Sequence, residues 1–235
     1  MLSRELMTQI RDGCQEYWDK EVQKEYFHSL AQGKEIGHRT ADIVDEKTTA
    51  LLTVNYETCF ERHANGAARP RSMGDIWLRH DLIYHPINVK VGIAGSEGQP
   101  NMVSLKKLLN ALISRHIDSY YLLIVKLSIG DPISPQVYFT DMLDHLAYVT
   151  FDSGPGQIML KAKPFFTNFN PEETRPIKTT EQKVRDLLNL LEDGERRLQI
   201  NRERVLKTMR QEVSSYLENG TFQVTPETQE GLHLL

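Results

Sequence analysis

GDIWLRHDLIYHPINVKV, residues 74–91, alternates apolar with polar side chains as a β-strand does and breaks once, near His80-Asp81. It reads as two strands, about 75–79 and 82–91, with Asp81 as a turn residue. Residues two apart in a strand point to the same face. Asn88 and Lys90 therefore project together, while Ile87, Val89 and Val91 face the core. A neighbouring strand that begins at Asp75 can set its carboxylate beside them. An aspartate, an amide oxygen and an ammonium converging on a strand pair suit phosphodiester hydrolysis. Asp75 and the Asn88 oxygen can hold Mg²⁺, a hard ion that takes oxygen ligands and keeps several waters. Such an ion polarises the phosphate, and Lys90 can orient the attacking water and stabilise charge on phosphorus. By spacing alone the same residues fit a solvated hairpin face with a salt bridge. The strand pair, the polar loop after Lys90 and the amphipathic helix beyond it favour the site.

Upstream, residues 3–31 read as a helix, with Leu6, Ile10, Cys14 and Trp18 spaced at four and Tyr26 and Leu30 continuing it. A second helix is expected from about Ala41 to His63, with Val44, Leu51, Leu52 and Cys59 among its core positions. Glu57 and Glu61 would then lie one helical turn apart on one face, either as a source of a further acid or as a solvated surface. Downstream, GIAGSEGQPN (92–101) reads as a glycine-rich loop, and a helix from about Met102 to Arg115 gathers Leu105, Leu108, Leu109, Leu112 and Ile113 on one side. YYLLIVKLSI (120–129) should be a central strand. Short strands are expected at 137–139, 146–151 and 158–163. From Thr180 to Leu217 the chain is strongly helical. Val184, Leu188, Leu191, Leu198, Val205, Met209 and Tyr216 form a heptad-like stripe, broken by Glu195, Arg202 and Glu212. Such a stripe packs on its own domain or in a dimer interface. The expected organisation is thus a core over 1–179 and a helical segment with a tail over 180–235.

The 235 residues suffice for one sizeable core, and a 40% apolar, 26% charged composition is that of an ordinary globular chain. A net charge of −4 argues against a wholly basic nucleic-acid coat, yet an acidic metal site and a local basic surface can cancel in the total. Cys14 and Cys59 are too few for a disulfide framework or zinc ribbon. No apolar run reaches membrane-spanning length, and MLSRELMTQIRDG has no signal-peptide core. The expectation is a cytoplasmic protein with reduced thiols and no membrane contact.

The run Gly74-Asp75-Ile76, then Ile87-Asn88-Val89-Lys90, then Gln99-Pro100-Asn101, Ser104 and the leucine helix resembles the PD-(D/E)XK nuclease superfamily, and within it the Type II restriction endonucleases of the HincII-like branch. A weaker likeness continues through YYLLIVKLSI to QIMLKAK, so it covers about residues 74–163. The resemblance implies an α/β fold with a restriction-endonuclease-like mixed central sheet flanked by helices. It implies Asp75 as metal ligand, Lys90 as catalytic lysine, and a Mg²⁺-dependent cut in duplex DNA that leaves a 5′-phosphate and a 3′-hydroxyl. A symmetric cut needs two active sites, hence a homodimer, and a restriction enzyme implies a cognate DNA methyltransferase in the same cell.

Two positions depart from the pattern. Asn88 stands where the family has an acid. Another acid compensates (Glu57 or Glu61, since a glutamate on the second helix often completes the site in related nucleases), activity is reduced, or the asparagine is an introduced change. Gly74 stands in place of the motif's proline, and Pro86, which lacks an N–H, implies a bulge or strand edge. For DNA contact the candidates are Ser96, Gln99 and Asn101 of the glycine loop, whose glycines let backbone N–H groups approach phosphates. Arg69 and Arg71 with His63 beside the site, and Lys106 and Lys107 on the leucine helix, are further candidates. Arg196, Arg197, Arg202, Arg204, Lys207 and Arg210 make the last helix locally basic, as a solvated face also would be. The competing readings are a weak or inactive DNA-binding protein on this fold, because of Asn88, and a helical interaction protein with the α/β core as scaffold.

Overall fold

The computed structural model describes residues 1–25, 27, 36–60, 73–94, 100–128, 130, 132–152, 154, 156–171 and 178–219. They form a mixed α/β chain in two compact units, Met1–Leu190 and Leu191–Leu235. The boundary lies within the last helix, eleven residues later than the sequence suggests.

The quoted stretch folds as read. β2 (Ile76–His80) and β3 (Ile83–Ile93) form an antiparallel hairpin whose turn residues, Asp81 and Leu82, both have positive φ (49° and 64°). Two-residue turns of that hand match the twist of the flanking strands. β1 (Thr58–Cys59) pairs with β2, and β3 pairs in parallel with β5 (Tyr121–Ser128), which pairs antiparallel with β6 (Ser134–Asp141). The result is a mixed five-stranded sheet in the order β1-β2-β3-β5-β6. β5 is central, as its uninterrupted apolar sequence requires of a strand covered on both faces. A second, antiparallel sheet, β4-β8-β7, is built from β4 (Asn101–Ser104), β7 (Val149–Asp152) and β8 (Gln157–Leu160).

One face of the main sheet carries Ile76, Leu78, Ile87, Val89, Tyr121, Leu123, Val125, Leu127, Val137 and Phe139, packed with Ile10, Cys14 and Trp18 of α1 (Arg4–Glu21) and Val44 and Leu52 of α2 (Ile36–Asn55). Ser3 caps α1, its side chain accepting from Leu6 N at 3.2 Å. Trp18 Nε1 donates to Thr48 Oγ1 at 3.1 Å, which ties the two helices together inside the core. Tyr26 and Leu30 of the expected first helix lie outside the described residues or carry no described side chain.

Several elements differ from expectation. α2 ends at Asn55, not at about 63, because the chain turns to pair Thr58 and Cys59 with Leu78 and Trp77; Cys59 is therefore exposed and not a core residue. The leucine helix, α3 (Leu105–Ile113), starts later than expected because Met102 and Val103 are drawn into β4. Leu105, Leu108 and Leu112 of α3 are buried, but Ile113 is 67% exposed. The strand expected over 158–163 ends at Leu160, and Ala162 and Lys163 instead open α4 (Ala162–Asn168), which builds an aromatic cluster with Phe165 stacked on Phe169 and Phe166 beside Tyr138. α5 (Thr180–Asn219) is the long last helix. Among the described residues no helix is long and apolar enough to cross a membrane.

Pro86 produces no bulge: the β2–β3 ladder runs through Trp77 and Pro86 without a register shift. β5 joins only at Ile87, so the N–H that Pro86 lacks has no strand to serve on that side. Gly92 is not a loop residue but continues β3. A Cβ there would lie 2.5 Å from the Phe166 ring, so the glycine makes room for α4 and not for a phosphate.

Candidate active site

β2 begins at Ile76, opposite Ile87, so from Asn88 onward β3 has no β2 partner on its outer edge. The site forms at this opening. The Val89 N–H is taken by Asp75 Oδ2 at 2.7 Å, and this bond holds the carboxylate at the strand edge. Lys90 Nζ stands 3.7 Å from the same oxygen, and both side chains remain partly open to solvent. Asn88, two residues before Lys90, is buried. Its Nδ2 donates to the Met102 carbonyl of β4 at 3.3 Å, while its Oδ1 is buried with no hydrogen-bond partner. The hairpin thus brings Asp75, Asn88 and Lys90 together, as the spacing predicts.

Gly74 is also explained here. A Cβ at that position would lie 2.9 Å from the backbone nitrogen of Ile87 and 2.9 Å from the Ile76 carbonyl oxygen. Neither backbone atom can yield, so the approach that sets Asp75 against β3 leaves no room for the proline ring of the family pattern.

The Asn88 amide does what a carboxylate cannot. Aspartate at 88 has no donor for the Met102 carbonyl and would face it with like partial charge. Toward a cation, a neutral amide oxygen is a weaker donor than a carboxylate.

Two residues that sequence reasoning passed over complete the site. Asp45 of α2 has its pKa raised from 3.8 to about 6, first by burial and then by the Asp75 carboxylate, with Lys90 pulling it back. Its hydroxyl neighbour Thr49 donates to it at 3.4 Å. Tyr120, just before β5, is fully buried with its hydroxyl against the Asn88 side chain; burial, then the Asp75 charge, raises its pKa well above the ordinary value, and the Asn88 contact pulls it back. Nothing local in the sequence marks either. Asp45 is one position from the core residue Val44 on an amphipathic helix, and its role appears only when α2 packs across β3.

Glu57, one of the two candidates for a compensating acid, is engaged by Arg79. It follows the end of α2 and pairs with Arg79 of β2 through both a salt bridge and a backbone bond, the latter 2.8 Å from Arg79 N to Glu57 O. It belongs to no helix, since α2 stops at Asn55. Glu61, His63, Arg69, Arg71, Ser96 and Gln99 lie outside the described residues. Asn101 is exposed at the start of β4, and Lys106 is exposed on α3. Arg196, Arg197, Arg202, Arg204, Lys207 and Arg210 belong to the second unit, where Arg196 pairs with Asp193 at 3.4 Å and Arg197 Nε donates to Asp193 O at 3.2 Å.

Among the described residues no group of three or more His, Cys, Asp or Glu is placed to hold a metal ion. Mg²⁺ is a lesser demand: one or two carboxylates serve, with waters and substrate phosphate filling the remaining positions. Asp75, the orphaned Asn88 Oδ1 and a deprotonated Asp45 are hard oxygen donors of that kind, so the residues present fit this ion.

The Asp45 carboxyl makes stability depend on pH. Its folded pKa lies above its unfolded value, so between about 4 and 6 the folded chain holds a proton that the unfolded chain has released. Stability falls as pH rises through that window, and the full penalty persists above it. Asp45→Asn is expected to stabilise the metal-free protein at pH 7.5 by about 1–2 kcal/mol, a figure that discounts roughly 3 kcal/mol for partial exposure, and to have little effect at pH 4. Urea denaturation at the two pH values measures this; a variant less stable than the parent at pH 7.5 contradicts it.

No protein-family model matches the chain, and no curated protein matches it in sequence.

Proposed function

We propose that the chain is a Mg²⁺-dependent, site-specific endonuclease of the Type II restriction kind, acting on double-stranded DNA. The observation that carries the reading is the convergence of Asp75, Asn88 and Lys90 at the open edge of β3, with a buried amide oxygen left without a partner. Asp75 and Asn88 would hold the ion, and Asp45 would add a second carboxylate once deprotonated. Bound there, Mg²⁺ would polarise the phosphate and lower the pKa of a coordinated water. Lys90, 3.7 Å from Asp75 Oδ2, would orient the attacking water and stabilise charge on phosphorus. The products are a 5′-phosphate and a 3′-hydroxyl. Because Mg²⁺ must displace the proton of Asp45, cleavage should strengthen as pH rises through about 6. This reading also brings a cognate methyltransferase and a dimer that cuts both strands.

A second reading, a weak or inactive DNA-binding protein on the same fold, is favoured by the absence of a three-acid cluster among the described residues and by the donor role of Asn88. A plasmid digest with and without Mg²⁺ separates them. The endonuclease reading expects discrete Mg²⁺-dependent fragments that disappear in Asp75→Ala. Salt-sensitive DNA retention without cleavage, until Asn88→Asp restores it, selects the binding protein. No cleavage and no DNA binding by any version sinks both.

A further inference from the structure

The described part of the second unit, residues 191–219, is helix throughout. Val205, Leu206, Met209, Val213 and Tyr216 are each more than half exposed, from 51% to 55%. At about 100° per residue they fall in one stripe. Within it, Leu198, Arg202, Val205, Met209, Glu212 and Tyr216 follow one another in steps of four, three, four, three and four. These are the seam positions of a coiled coil.

That order of steps reads the same from either end, with its midpoint between Val205 and Met209, at Lys207. When two such helices lie antiparallel about a twofold axis at the midpoint, Leu198 meets Tyr216, Val205 meets Met209, and Arg202 meets Glu212. Each pairing occurs twice. A parallel pair in register would set Arg202 on Arg202 and Glu212 on Glu212, and like charges in a partly dry seam disfavour it. Apolar positions and charges therefore select the same partner in the same orientation.

We propose that residues 198–216 of the last helix bind a second copy of this chain as an antiparallel, twofold-symmetric helix pair. The contact is isologous and about 27 Å long. It uses no residue of the β2–β3 site, so variants of this helix test the contact without touching the residues of the nuclease reading.

Sedimentation of the full-length chain is the test. The expected mass is twice the 27.1 kDa of one chain. Met209→Asp should give a monomer with its helical circular dichroism retained. Arg202→Glu and Glu212→Arg should each weaken the dimer by about tenfold or more, and the two together should restore it. A parent protein that stays monomeric at high micromolar concentration overturns the proposal and points to residues 220–235 or a different protein as the cover. A dimer indifferent to Met209→Asp assembles elsewhere and overturns it as well. A double exchange that stays weak rules out the antiparallel register.

Discussion

Lys90→Ala is expected to lower the rate of Mg²⁺-dependent DNA cleavage by about 10²–10³-fold, the scale of removing one donor aimed at transition-state charge. DNA affinity and fold should change little. The side chain is partly exposed, and the Asp75 carboxylate it faces at 3.7 Å keeps its bond from Val89 N. The variant should retain Mg²⁺ dependence in its residual activity, whereas Asp75→Ala should lose it, because the proposal gives water and charge to the lysine and the ion to the aspartate. Losing the ammonium also removes a cation that pulls the Asp45 pKa down, so the rising limb of the pH profile should move upward. Single-turnover digestion across pH 5.5–8.5 reads all three effects. A rate within a few-fold of the parent would falsify the catalytic assignment of Lys90.

The largest effect on stability is expected at Lys183, far from the motif in sequence. This lysine is 1% exposed at the start of α5, and its Nζ donates to Asp141 Oδ2 at 3.1 Å and to the Asp118 carbonyl at 2.7 Å. Asp141 is itself buried, and its Oδ1 accepts from Tyr120 N at 3.1 Å and Leu143 N at 3.0 Å. The pair joins α5 to the end of β6 and to the residue that precedes β5, so it also holds Tyr120 against Asn88. Lys183→Ala leaves a buried carboxylate without its cation and should cost about 3–5 kcal/mol. Lys183→Met with Asp141→Asn should recover much of that loss, since the amide needs no counter-charge and the thioether fills the space. Urea denaturation of the three proteins measures it. A cost below about 1 kcal/mol for Lys183→Ala would show that the pair is solvated and not structural.

The parts of the fold that were legible in the sequence depend on neighbours close along the chain. The β2–β3 hairpin follows from period-two alternation and the turn at Asp81, the central place of β5 from an unbroken run of branched and aromatic residues, and α1 from a four-residue apolar spacing, although the helix ends at Glu21 and not near residue 31. The convergence of Asp75, Asn88 and Lys90 belongs with these, since a hairpin fixes register within a few residues. The errors lie where distant segments compete for the same residues. α2 stops at Asn55 because β2 recruits Thr58 and Cys59; α3 starts late because β8 recruits β4; and Glu57, assigned to a helix, is held by Arg79 instead.

What the sequence by itself determined, then, is the α/β class, the hairpin and the side-chain chemistry on one strand face, because alternation and turn chemistry are local. The tertiary structure decided how that chemistry is completed. It set Asp45 near the Asp75 carboxylate by packing α2 across the sheet, and it gave the Asn88 amide a carbonyl partner in a second sheet. It excluded any Cβ at Gly74 by bringing strand backbone against it, and it set the Phe166 ring against Gly92. Each of these depends on which residues, remote along the chain, share one buried volume, and no local pattern encodes that.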